Sequence, residues 1–116
     1  MATFQLSPSI ESGLSRHEFN VAIYEAKMIP TFNEDLKGTN PVIDIPYTRE
    51  SFAIAFEHII AWMKRSEAPF EFMCRSTFRE IVKFADAHHM KSLLHDVSVK
   101  FFLTAIWNTN VLLMEK

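Results

Sequence analysis

Apolar positions change period along this chain. From Glu18 to Ile23, Phe19, Val21 and Ile23 alternate with Glu18, Asn20 and Ala22. That period of two predicts a half-buried strand. Ala2–Leu6 predicts another short strand. Ser7–Ser15 is polar and holds Pro8 and Gly13, so it reads as the turn that joins the two strands in a hairpin. From residue 52 the period becomes helical. Phe52, Ala55, Phe56, Ile59, Ile60 and Met63 recur at i, i+3, i+4, i+7, i+8 and i+11, one apolar face. Thr48 is the candidate N-cap, and Glu50 lies in the first turn, where the helix dipole favours an acid. Glu57, His58, Lys64 and Arg65 fall off the apolar face, and Ser66–Pro69 ends the helix.

Two more helices follow with almost no linker. Phe78, Ile81, Val82 and Ala85 form one face; Met90, Leu93, Leu94, Val97 and then Phe101 form the next. No Gly or Pro interrupts Phe78–Ile106, which predicts a sharp corner at His88 or His89. Ser76 is a candidate cap for the first of the pair. Thr77 is a second candidate, with Glu80 three residues on as in a capping box. Phe70–Met73 reads as a short extended piece before it. Asn108 or Asn110 is placed to end the last helix or begin a final short one.

The middle of the chain is less regular. Pro30 divides Tyr24–Leu36 into a short helix from Tyr24, a break near Ile29 and a second turn around Phe32–Leu36. Lys37–Pro41 is a loop. Val42, Ile43 and Ile45 predict a β-branched strand stopped by Pro46. The fold class expected from this series is α/β (α+β), in a single domain covering residues 1–116.

Composition narrows the function. Apolar residues make up 48% of the 116, with eleven Phe, too hydrophobic for a disordered chain. The net charge of −2 points to neither nucleic acid nor an anionic membrane as partner. One cysteine, Cys74, excludes an intrachain disulfide and fits a reducing compartment. No secretory signal and no apolar window long enough to span a membrane is visible. The expected location is therefore cytoplasm or nucleus.

Candidate chemistry is sparse. His88, His89, His95 and Cys74 invite a zinc reading, but adjacent histidines on a helix point about 100° apart, and neither CxxC nor HExxH is present. A solvated helix corner is the reading preferred here, and no metal or other cofactor is expected. Asp86 and His89, at i, i+3 spacing, read as a surface pair. No nucleophile elbow surrounds Cys74 or a serine, and Cys74, following Phe-Glu-Phe-Met, is expected in or near the core. Gly13 and Gly38 are isolated, so no phosphate loop forms. The residues for catalysis are missing, and the protein is not expected to be an enzyme.

Phe101-Phe102-Leu103 with Ile106-Trp107 is different. Consecutive apolar residues on a helix cannot all face one core. Either the helix is buried on two sides, or another chain covers an exposed apolar surface, with Trp107 as a natural anchor.

The order of these elements, with EFNVAI, VIDIP, FAIAFEHIIAWM and FADAHHMKSLL at their places, resembles the BTB/POZ superfamily. The similarity runs from about Phe4 to Ile106. Within the superfamily the chain is most similar to the S-phase kinase-associated adaptors of cullin–RING ubiquitin ligases, with elongin C beside them. The resemblance implies a small sheet packed on a cluster of helices, and a non-enzymatic adaptor in ubiquitin-dependent protein catabolism. It implies one surface for a cullin and another for an F-box or elongin-type substrate receptor. On this sequence the receptor side falls on Met90, Leu94, Phe102, Ile106 and Trp107, and the cullin side on Asp86 and Ala87. The adaptor branch commonly has Asn and an aromatic where Asp86 and Ala87 stand, a longer acidic insertion at Ser66–Met73, and further helices after Trp107. The alternative is a self-associating BTB/POZ module, a homodimer or larger, with no ligase role.

Overall fold

The structure is a computed structural model that describes the backbone of residues 1–114 and the side chains of residues 1–103. It is a mixed α/β fold in which a three-stranded sheet packs against helices. The strands are β1 (Ala2–Pro8), β2 (His17–Val21) and β3 (Val42–Tyr47), in the order β2-β1-β3. β1 pairs antiparallel with β2, Phe4 opposite Phe19, which is the predicted hairpin. It pairs parallel with β3, Phe4 opposite Ile43.

Between β2 and β3 the chain crosses over through α1 (Ile23–Ala26) and a 3₁₀ helix (Pro30–Asp35). The predicted strand ends two residues early, at Val21. There the Ala22 N–H donates to the Glu25 carboxylate at 2.8 Å and α1 begins. The break at Ile29 is as expected. Pro30 opens the 3₁₀ helix, where its missing N–H is no loss.

Pro46 does not stop β3, which continues to Tyr47. β3 is an edge strand, and Pro46 lies at a position whose N–H would point away from β1, so no ladder bond is lost.

The helices are α2 (Glu50–Met63), α3 (Arg75–Ala87) and α4 (Lys91–Met114). The apolar face of α2 is as predicted: Ala55, Phe56, Ile59, Ile60 and Met63 are buried and Phe52 is half-buried. The caps differ. Arg49, not Thr48, precedes α2, and no side chain caps it. Cys74, not Ser76 or Thr77, precedes α3. Thr77 is 1% exposed and is the third residue of the helix, in its first turn. Neither Asn108 nor Asn110 ends α4. Phe70–Met73 is a turn rather than an extended piece. Phe72 takes a left-handed φ of 56° and is fully exposed, while Phe70 is buried.

α2 and α3 end in the same device. Arg65 and His89 adopt φ of 57° and 56°. After α2, Ser66 N–H donates to the Ala61 carbonyl at 3.0 Å and Arg65 N–H to Trp62 at 3.1 Å. After α3, Met90 N–H donates to Ala85 at 2.8 Å and His89 N–H to Asp86 at 3.4 Å. Both are Schellman closures that use a non-glycine residue at the left-handed position. The second makes the predicted corner, and its Met90 and Ala85 are both buried, the apolar contact that accompanies the motif.

All three strands and all four helices contribute to one hydrophobic cluster. At its centre, Phe56 meets Phe4 at 5.6 Å, Phe19 at 5.5 Å, Phe52 at 6.0 Å and Phe84 at 5.7 Å between ring centroids. Replacing Phe56 removes contacts to both strands of the hairpin and to α3 at once. Phe56→Ala is expected to cost about 3–5 kcal/mol, measured as a lower urea midpoint with unchanged slope.

A candidate docking face on the last helix

α4 has two apolar sides. Its inward side carries Leu93 and Val97, both fully buried, and half-buried Leu94. Phe101 stacks on Phe78 of α3, with centroids 4.1 Å apart and planes 8° from parallel. Trp62 of α2 donates from Nε1 to Asp96 at 2.9 Å. These contacts set the rotation of α4 on the core and thereby what it presents outward. Val99, Phe102 and Leu103, at i, i+3 and i+4, face solvent with exposures of 44%, 65% and 58%.

Two hollows flank this row. One, about 490 Å³, lies toward the end of α2 and includes Trp62, Pro69, Val99 and Leu103 in its lining. The other, about 300 Å³, is bounded by Phe72, Met73 and Phe101. Phe70 and Lys100 line both. Apolar side chains from the end of α2 and from the turn through Phe72, of which Phe72 is fully exposed, thus border one stretch of α4, the arrangement expected of a surface for another chain.

No family model and no curated protein matches the chain.

The residues expected on the receptor side do not all lie on this face. Phe102 does. Met90 is 4% exposed and belongs to the corner, so its side chain is not presented to a second chain. Leu94 packs against the core. Ile106 and Trp107 lie outside the residues whose side chains are described. Asp86 and Ala87 are exposed on the last turn of α3. Val99 and Phe72 join the face beyond the residues that the resemblance implies. Val99 was legible as the residue that completes an i, i+3, i+4 row, whereas Phe72 is exposed only because its turn inverts the backbone.

Among the described residues no three His, Cys, Asp or Glu are placed to hold a metal, and no helix is long and apolar enough to cross a membrane. His88 is engaged elsewhere. Its Nδ1 is hydrogen-bonded to the Thr31 hydroxyl, and its ring lies 5.1 Å from Phe32 and 4.2 Å from Phe84. It thereby ties the 3₁₀ helix to the α3–α4 corner. His89 meets Asp86 through the backbone alone, because its left-handed φ takes it off the helical path.

Burial lowers the His88 imidazole below its ordinary 6.5, and the neighbouring His89 adds to the shift. Protons then bind the unfolded chain more readily than the folded one. His88 contributes stability above pH 6.5 that is lost as pH falls through its folded value. Urea midpoints should therefore fall more steeply between pH 7.5 and 5.5 in the parent than in His88→Gln. Equal slopes would remove His88 from the pH response.

Cys74 is exposed, not in the core, because Phe70 fills the core position in the preceding turn and the chain then leaves it. Its Sγ lies 3.1 Å from Ser76 Oγ and 3.2 Å from Thr77 Oγ1. Hydrogen bonds from these hydroxyls stabilise the thiolate, Ser76 most, and lower the thiol from 9.0 to about 6. Alkylation by iodoacetamide should reach half its limiting rate near pH 6, and Ser76→Ala should move that midpoint upward. A parent midpoint above pH 8 would show that the hydroxyls do not act on the sulfur.

Proposed function

We propose that the chain is a BTB/POZ-like interaction module acting as an adaptor of the S-phase kinase-associated type, without enzymatic activity of its own. It joins an F-box or elongin-type substrate receptor, through the outward face of α4, to a cullin–RING ubiquitin ligase in the cytoplasm or nucleus. The observation that carries this reading is the row Val99, Phe102 and Leu103. It is exposed on the helix to which the sequence resemblance assigns receptor binding. The element order supports it: a hairpin, a short crossover, a third strand parallel to the first, then three successive helices. The receptor would contribute an amphipathic helix, its apolar side against the row.

The exposed row also favours a second reading, self-association through α4 in a module with no ligase role. A face of Val, Phe and Leu is equally suited to a copy of itself.

Size-exclusion chromatography with light scattering separates the two, run on the chain alone and with a cullin N-terminal domain or a purified F-box domain. The adaptor is a monomer that shifts with both. Phe102→Asp should weaken F-box binding by about 30-fold or more, the equivalent of a hot-spot loss of about 2 kcal/mol, with circular dichroism unchanged. A dimer that ignores both domains and is split by Phe102→Asp establishes self-association instead.

A further inference from the structure

The two edges of the sheet differ. In the parallel pair, Thr3 N–H donates to the Pro41 carbonyl at 2.9 Å and Ser9 N–H to the Tyr47 carbonyl at 3.3 Å. Alternation then turns the backbone groups of Ile43, Ile45 and Tyr47 toward β1 and those of Val42, Asp44 and Pro46 outward. That outer edge lacks an N–H at Pro46 and bears the Asp44 carboxylate, two features that discourage a further strand.

β2 is the opposite edge. Since Thr3, Gln5 and Ser7 direct their backbone groups to β3, Ala2, Phe4 and Leu6 bond to β2 opposite Val21, Phe19 and His17. Glu18 and Asn20 therefore turn N–H and C=O away from β1. No strand pairs with them among the described residues, and β2 contains no proline.

A hollow of about 300 Å³ lies between this edge and α2. Phe19, Ala53 and Ile54 give it an apolar floor, and Ile54 is 42% exposed. Glu50 and Glu57 supply carboxylates on the α2 side, Glu18 borders the hollow from β2, and the lining includes no Lys or Arg. Nε2 of His17, in the first residue of β2 and also in the lining, is shielded from water and has no hydrogen-bond partner in the described structure. Its ring lies against Phe19 and Tyr47, with centroids 6.5 and 6.2 Å away.

We propose that this edge docks an extended segment of a partner protein, basic and apolar at alternate positions, which joins the sheet as a fourth strand beside β2. Successive side chains of such a strand point to opposite faces. Those on the α2 side rest on Phe19 and Ile54, and those on the open side meet Glu18. Lysines or arginines at the ends lie beyond the stretch paired with Glu18 and Asn20, are not held to the pleat, and turn to the α2 side to reach Glu50 and Glu57. Main-chain bonds to Glu18 and Asn20 provide affinity, and the carboxylates select for positive charge. A second copy of the chain is the weaker occupant, because a two-fold arrangement would bring Glu18, Glu50 and Glu57 of both copies together. This surface involves β2 and α2 rather than α4, and does not depend on the adaptor role.

The test uses the full chain and a fluorescent, end-capped heptapeptide alternating Lys with Val. Saturable binding is expected, with amide exchange slowed at Glu18 and Asn20 but not at Val42 or Asp44. The double variant Glu50→Gln, Glu57→Gln should weaken binding at least tenfold, and so should a proline in place of the central Val of the peptide. Both glutamates are exposed, so the variant is expected to fold, and circular dichroism checks it. Absence of saturation at millimolar peptide, indifference to both substitutions, or protection at other amides would overturn the proposal. So would dimerisation of the chain alone through the Glu18 and Asn20 amides.

Discussion

The structure depends on one ring. Phe56 is the side chain at which the hairpin, α2 and α3 meet, fully buried and edge-on to both Phe4 and Phe84. A three-stranded sheet of this size does not hold itself together without a covering layer. Here the layer is α2, and its contact with the sheet is largely aromatic. Because aromatic pairs favour tilted and offset geometries, they constrain orientation as well as area. The angle of α2 on the sheet follows from Phe4, Phe19 and Phe56. The position of α3 follows from Phe84, and that of α4 from Phe101 stacked on Phe78. The outward face of α4 is the end of this chain of contacts.

The connections between helices are as restrictive as the core. Two Schellman closures end α2 and α3 with Arg65 and His89 in the left-handed region. For a non-glycine residue that conformation costs about 1–2 kcal/mol, which the satisfied carbonyls and the burial of Met90 help to offset. The corner is held from outside by His88, set between Phe32 and Phe84. A polar ring in an aromatic niche is favoured in its neutral form, and burial there lowers the His88 imidazole. The two proposed docking surfaces differ in kind. α4 presents apolar side chains suited to a helix, whereas β2 presents backbone groups and carboxylates suited to an extended basic strand.

Much of the architecture was legible in the sequence. The period of two over Glu18–Ile23, which overruns the strand by two residues, the helical row from Phe52 to Met63 and the corner at His88 or His89 follow from spacing, because burial on one side imposes a repeat on the chain. The departures are local. Pro46 reads as a strand stop because its missing N–H matters in a central strand, and whether a strand is central is decided by its neighbours. Thr48, Ser76 and Thr77 had cap chemistry, but α2 and α3 begin where packing of Phe52 and Thr77 puts the first turn. The hydrophobic company of Cys74 suggests burial, yet the turn through Phe72 brings it to the surface.

The candidate surfaces divide in the same way. That Phe101, Phe102 and Leu103 could not share one core followed from helix geometry alone, since neighbours on a helix point about 100° apart. Which of them is outside did not. The Phe78–Phe101 stack and the Trp62–Asp96 hydrogen bond fix the rotation of α4, and both join residues distant in the chain. The β2 edge was not visible at all. An open edge is a property of strand order, and a strand carries the same alternation whether or not another lies beside it. Periodicity records which side of an element is buried. It carries no record of which other element does the burying, and it is from that choice that Phe102 is exposed and Met90 is not.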